Sequence, residues 1–291
     1  MYPDNNWYGH RFILSRYAKI EDKPTICSIQ HGFLKNISNE NFGKILSPCS
    51  KYLIWNDDVA RICRINKNYK FEIIGSPFLY LCELLKKKKY LKSKNSYFIL
   101  LPHAAENIPS PFSHNLFIKY IKKKFNGNIT ACFFYSDITN KISELYRKNK
   151  IKIFSCGQRN NKNYLDLLYK QIISNENIVI TELSSALFYS LFLNKKTYFI
   201  EKFSSVKVTQ NIKLLKFYKK KNYFLFGGLP KNKIVNSKLG KKLADYELGL
   251  KYIKNPYELK NILWKKSLIQ KILIFIFRVL LYLKWRSKLI K

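Results

Sequence analysis

The chain has 291 residues, enough for one large domain or two small ones, and 47% of them are hydrophobic, which excludes a wholly disordered protein. Its formal charge of +36 points to anionic surfaces, membranes included, without selecting nucleic acid. The lysines run through many segments (Lys86 to Lys89, Lys122 to Lys124, Lys219 to Lys221, Lys265 and Lys266), and arginine, the better reader of bases and phosphates, is rare beside them.

Lys, Asn, Ile, Tyr and Phe are all abundant and share A/T-rich codons, so genome composition accounts for part of the lysine excess. The six cysteines stand singly, with no CxxC, no Cys/His cluster and no signal-peptide pattern. Free thiols in a reducing compartment are expected, and no metal site.

Taken in chain order, short apolar runs alternate with helical-period segments, the signature of an α/β fold with parallel strands. Thr25 to Ile29 reads as a strand ending at Gln30-His31-Gly32, and Tyr52 to Trp55 as the next, followed by a helix from Asp57 to Arg64. Phe71 to Ile74 is a third strand, closed by Gly75-Ser76-Pro77, with a helix from Phe78 to Tyr90. The charged stretch 86 to 96 reads as an inter-domain connection. Beyond it, strands are expected at Tyr97 to Leu101, Ile129 to Tyr135, Ile151 to Ser155, Ile178 to Thr181 and Thr197 to Ile200, with Tyr223 to Phe226 as one more. Helices alternate with them: His114 to Phe125, Ile138 to Lys148, Tyr164 to Ile173 and Ser185 to Leu193. Three strands are few for a complete Rossmann-type unit, so the first domain reads as reduced or incomplete.

In an open parallel sheet, ligands bind beyond the carboxyl ends of the strands. That rule selects His31, His103 with Glu106, Arg159 in the loop CGQRNN, and Glu182 with Ser184 and Ser185. An imidazole with its near-neutral pKa suits proton abstraction from a hydroxyl; His31 could equally cap its turn. His103, protonated, would neutralise a phosphate, or it is a satisfied loop histidine. Ser184 and Ser185 open a helix, where they could cap it or join its free N–H groups as a phosphate cradle. Arg159 would pair with phosphate or ribose, or stay solvated. Asp57 and Asp58 read as helix caps. No GxGxxG, Walker-A loop or DxD pair is present, which argues against nicotinamide, ATP and metal-dependent sugar-transfer chemistry.

The segments CSIQHGFL, KYLIWNDDVARIC, EIIGSP, FILLPHAAENIP and ITELSSALFYSLFLNKKTYFIE occur in that order. On them the chain resembles GT-B transferases that build bacterial surface polysaccharides, CDP-glycerol glycerophosphotransferases and capsule-type transferases above all, and more loosely bacterial sialyltransferases. The resemblance covers residues 25 to 80 and 97 to 201. It departs from the sialyltransferases in placing Pro102 before His103 and in lacking their acidic Asp/Glu-Gly motif, so a sialic-acid donor does not carry over. The resemblance implies two Rossmann-like domains, an acceptor-side one over 1–85 and a nucleotide-donor one over 97–262. It further implies metal-independent transfer of a sugar or sugar-like group from a nucleotide-activated donor to a surface-polysaccharide or lipid-linked acceptor. His31 would be the base, and His103, Glu182, Ser184 and Ser185 would hold the donor, with Glu106 and Arg159 beside them from the strand-end rule.

From Trp264 the chain reads WKKSLIQKILIFIFRVLLYLKWRSKLI. As a helix it would reach about 40 Å, but Lys271 and Arg278 interrupt its apolar run well short of the ~20 residues a span needs. Tryptophans and lysines at both ends fit an amphipathic helix over 263–291 lying in an anionic membrane interface, on the cytoplasmic face. Packing on the protein core is the alternative. Two other functions stay open at this point: a non-catalytic scaffold for polysaccharide assembly, and a basic nucleic-acid-binding protein.

Overall fold

The computed structural model describes residues 3–20, 25, 27–32, 51–65, 70–102, 112–138, 141–181, 184–200, 237–264 and 276. They form an α/β fold with two parallel sheets, one of three strands and one of five.

In the first sheet β1 (Ser28–Ile29), β2 (Tyr52–Ile54) and β3 (Phe71–Ile73) pair in that order, all parallel. Leu53 and Ile54 are fully buried, as expected for a parallel strand covered on both faces. Helix α1 (His10–Tyr17) precedes these strands, α2 (Asp57–Ile65) follows β2 and α3 (Pro77–Leu85) follows β3. Asn56, rather than an aspartate, caps α2: its Oδ1 accepts from the Val59 N–H at 3.2 Å. Asp57 instead accepts from the Tyr252 hydroxyl and pairs with Lys251 at 2.9 Å. Helix α3 starts on Ser76, whose hydroxyl accepts from the Phe78 N–H at 3.3 Å, with Pro77 in the first turn. It stops at Leu85, short of the expected Tyr90, because Lys86 to Lys89 are exposed and offer no apolar face to extend it.

The second sheet holds β4 (Ser93–Leu100), β5 (Asn128–Cys132), β6 (Lys152–Phe154), β7 (Asn175–Ile180) and β8 (Lys196–Phe199), in the order β6-β5-β4-β7-β8. Between them run α4 (His114–Lys124), α5 (Lys141–Lys148), α6 (Tyr164–Ser174) and α7 (Ser185–Phe192). Alternation on the central strands sorts the two faces. Ile99 and Val179 pack with Phe117, Ile121 and Tyr146 of α4 and α5. Phe98 and Ile178 pack with Leu165, Ile172 and Leu187 of α6 and α7. Strand β7 begins three residues before the expected Ile178, because the three polar residues there are bonded: the Asn175 amide donates to Gln171 O, the Glu176 N–H to the Ser96 hydroxyl and the Asn177 amide to Ser96 O.

The second of these cores continues into the first sheet, taking in Ile13, Leu14, Leu53, Trp55 and Phe78. Phe78 of α3 stacks on Tyr189 of α7 at 3.9 Å between centroids. Burying such a ring stabilises by about 1.5–3 kcal/mol. The chain then returns: α8 (Ser237–Glu247) packs on α7, and α9 (Pro256–Trp264) packs on α1. The turn between them is fixed by Gly249, at φ 71°, where a Cβ would lie 1.8 Å from Trp55 O. Neither α8 nor α9 was expected from periodicity, and Leu263, at the start of the expected membrane helix, is buried in the core. Residues 265–291, apart from Ile276, and the expected strand Tyr223 to Phe226 lie outside the described residues. Among the described residues no helix is long and apolar enough to cross a membrane.

Candidate functional site

Three chain segments meet where the carboxyl ends of the two sheets converge. The first is the loop after β1. Its Gln30 is held twice: the side-chain Oε1 accepts from the Trp55 N–H at 2.9 Å, and Nε2 donates to Gly32 O at 2.9 Å. That clamp fixes His31, which is half-buried, at the end of the strand.

The second is the N-terminus of α7. Gly32 approaches it so closely that a Cβ there would sit 3.3 Å from the Ser185 Oγ. Ser184 is the residue before the helix, yet its hydroxyl makes no cap bond, so the capping role expected for it is not the one it has. The Ser185 hydroxyl meets Tyr189, whose phenol is pushed up by burial and drawn back by its bonds to Ser76 and Ser185. Both serines are half-buried.

The third is the loop after β6, shaped by Gly157 at φ 81° and by the Asn161 amide donating to Cys156 O at 2.7 Å. Its Arg159 lies over two rings, with the guanidinium carbon 4.9 Å from the centre of Trp7 and 5.7 Å from that of Phe134. Cation–ring contacts hold a guanidinium in place and leave its N–H groups for an anion.

A segment with no counterpart in the sequence reading ties the three together. Residues Pro3–Gly9 form a 3₁₀ run kinked at Trp7 and Tyr8. Asn5 fastens it to the first sheet, donating to Cys27 O and accepting from the Ile29 N–H at 2.8 Å. Tyr8 fastens it to the second, donating its N–H to Arg159 O at 2.6 Å. Tyr8 and Gly9 both have positive φ, and a Cβ on Gly9 would stand 2.4 Å from Lys162 O. The kink turns the Trp7 indole onto the His31 ring, centroids 4.8 Å apart. Nothing in periodicity marks this segment, although the run NNWYGH, with an aromatic pair before a glycine, is the signal that it carries.

Directly behind, His10 is fully buried. Burial, with the charge of His31 adding and the Gln30 backbone opposing, pushes it down to about 3, so it is neutral. Neither of its ring nitrogens has a hydrogen bond of good geometry among the described residues.

The sequence-selected residues therefore divide. Gly32 brings the His31 loop to Ser185, with Ser184 beside it in the chain, and Trp7 joins His31 to Arg159; His103, Glu106 and Glu182 lie outside the described residues. The strands that lead to those three, β4 and β7, are neighbours, and the Thr181 hydroxyl donates to Leu100 O at 2.8 Å. This is the place in the sheet where connections leave in opposite directions, to β5 on one side and β8 on the other, and where α/β sheets take ligands. Among the described residues no three His, Cys, Asp or Glu side chains are grouped to hold a metal. Among the described residues, Cys27, Cys63, Cys82, Cys132 and Cys156 form no disulfide. No family model, curated protein or solved structure matches the chain.

Proposed function

We propose that this chain is a glycosyltransferase of GT-B arrangement, with residues 1–85 as the acceptor side and 97–262 as the donor side. It moves a sugar or sugar-like group from a nucleotide-activated donor to a surface-polysaccharide or lipid-linked acceptor without a metal or cofactor. The observation that carries this reading is the meeting of the His31–Gly32 loop of one sheet with Ser185 and Arg159 of the other, at the carboxyl ends of both.

Each group then has a task. The diphosphate of the donor lies at the N-terminus of α7, accepting from its free N–H groups and from Ser184, with Arg159 supplying positive charge. His103, Glu106 and Glu182 complete the nucleotide side. His31 takes the proton of the acceptor hydroxyl as that oxygen bonds to the transferred carbon. The bond from that carbon to the phosphate oxygen breaks, and the nucleotide leaves with the electron pair. Residues 265–291 hold the enzyme on the anionic cytoplasmic face of the membrane, near the acceptor.

A melting screen of the full chain with CMP, CDP, UDP and GDP tests this reading. A nucleotide at 100 times its Kd stabilises by about 2.7 kcal/mol, so one or two of the four raise Tm by several degrees. If all four leave Tm unmoved at millimolar concentration, the donor-site reading fails.

A further inference from the structure

Lysines that look scattered along the chain converge in the fold. The five strands of the second sheet are parallel, so they all start at one edge, and the crossover helices run back and end there too. Lys92 and Lys94 stand at the start of β4, Lys150 and Lys152 at that of β6, and Lys196 opens β8. Lys122 to Lys124 close α4, and Arg147 with Lys148 closes α5. All of them are exposed. The strand starts and last helical turns at this edge carry one carboxylate among the described residues, Glu176.

Among the described residues, no ion pair uses any of these cations, whereas Lys51, Lys241 and Lys251 elsewhere are paired with Glu72, Asp245 and Asp57. Helix dipoles favour cations at the ends of α4 and α5, but no dipole acts on the lysines that open strands. Crowding of uncompensated charge opposes folding, and it is relieved when an anionic surface covers the rim.

At the same edge, just before Lys92, Leu91 is 95% exposed. A leucine held out in water among lysines gains nothing from a nucleic-acid backbone, and lysine lacks the fork with which arginine reads bases. Both fit a bilayer, whose headgroups take the cations while its interior takes the leucine.

We propose that the N-terminal edge of the second sheet docks on an anionic lipid bilayer, with Leu91 entering the headgroup layer. Strand β4 has eight residues, so at ~3.3 Å each the cleft stands about 26 Å above the bilayer. That height suits an acceptor reaching out from the membrane, such as the end of a growing polymer. The docking itself does not depend on the transferase reading.

The test is flotation of the full chain with phosphatidylcholine vesicles containing 30% phosphatidylglycerol, in 0.1 M salt. Each lysine near such a surface contributes about 1 kcal/mol, so Lys122→Gln, Lys123→Gln and Lys124→Gln together weaken partitioning on the order of 100-fold. An equal charge change at Lys70, Lys242 and Lys260, all exposed and away from the rim, serves as the control and is expected to have a small effect. Leu91→Ser reduces the part of the binding that survives 1 M salt. Every variant retains residues 265–291, so their contribution is constant, and an unchanged Tm verifies folding. Unaltered flotation of the rim variant, equal losses in rim and control variants, or lost binding to a DNA duplex with vesicle binding intact would each overturn the proposal.

Discussion

The indole of Trp7 lies on the imidazole of His31, centroids 4.8 Å apart and planes 46° apart, and the guanidinium of Arg159 lies over the same indole. One ring thus touches the group assigned to the acceptor and the group assigned to the donor. Its segment is anchored to both sheets, through Asn5 and through Tyr8.

Trp7→Ala is expected to weaken nucleotide binding, although Trp7 is not itself assigned to the phosphate. An exposed cation–ring contact is worth ~0.5–1 kcal/mol and a desolvated one ~2, so affinity falls between about 2-fold and 30-fold. Trp7→Phe keeps a ring under Arg159 and restores most of it. Calorimetric titration of both variants checks this, and equal affinities for the two would show that Trp7 does not position Arg159.

For His31→Ala the expectation is loss of transfer with donor affinity retained, because the base acts on the acceptor. Removing a general base costs ~10²–10⁴ in rate. Turnover at the wild-type rate would remove His31 from the chemistry. Asp57 and Asp58, two described carboxylates of that side, are poor replacements: Asp57 is held by Lys251 and Tyr252, and Asp58 lies beside Arg61.

The two sheets share one core, so they are expected to unfold together. Phe78→Ala removes a fully buried ring stacked on Tyr189 and is expected to cost about 3–5 kcal/mol. Urea denaturation followed by two probes reads both the loss and the single transition. Two separated transitions in the parent chain would contradict a continuous core.

His10 makes stability depend on pH in a definite direction. Its folded value of about 3 lies below the ordinary 6.5, so between those values the unfolded chain binds a proton that the folded chain does not. Stability is full above about pH 6.5 and falls as pH drops toward 3, by at most ~1.4 kcal/mol per unit from this group. His114, pushed down to about 4 by burial, acts with the same sign over a narrower window. His10→Phe is expected to flatten the acid limb of a plot of unfolding free energy against pH. An unchanged slope would mean that His10 is protonated in the folded protein.

The second sheet was legible because its strands are short runs such as Phe98-Ile99 and Ile178-Val179, whose two faces are both covered, and because helices of regular period separate them. The strand-end rule selects His31, Arg159, Ser184 and Ser185, and also His103, Glu106 and Glu182, which lie outside the described residues. Trp7 and Tyr8 were illegible for a different reason. Their positions follow from a left-handed turn at Tyr8–Gly9 that fits only against Lys162 O, far away in sequence. Of the two roles open to Ser184, capping is the one a local preference suggests, and the helix it precedes starts without that bond. The gathering of basic residues on one rim was likewise invisible along the chain, since it depends on all strands running the same way.

In the proposed transferase, Arg159 and the serines before and at the start of α7 bind the phosphates of a nucleotide. Titration calorimetry with the nucleotide that most raises Tm tests it most directly, comparing the parent chain with Arg159→Ala and with the double variant Ser184→Ala, Ser185→Ala. A hydrogen bond from a charged group is worth about 1.5–3 kcal/mol, so the arginine variant binds roughly 10- to 150-fold more weakly. The serine variant loses about 0.5–3 kcal/mol, with the helix N–H groups still in place. Affinity equal to the parent in both variants, with Tm unchanged, would place the bound nucleotide away from Arg159 and the two serines.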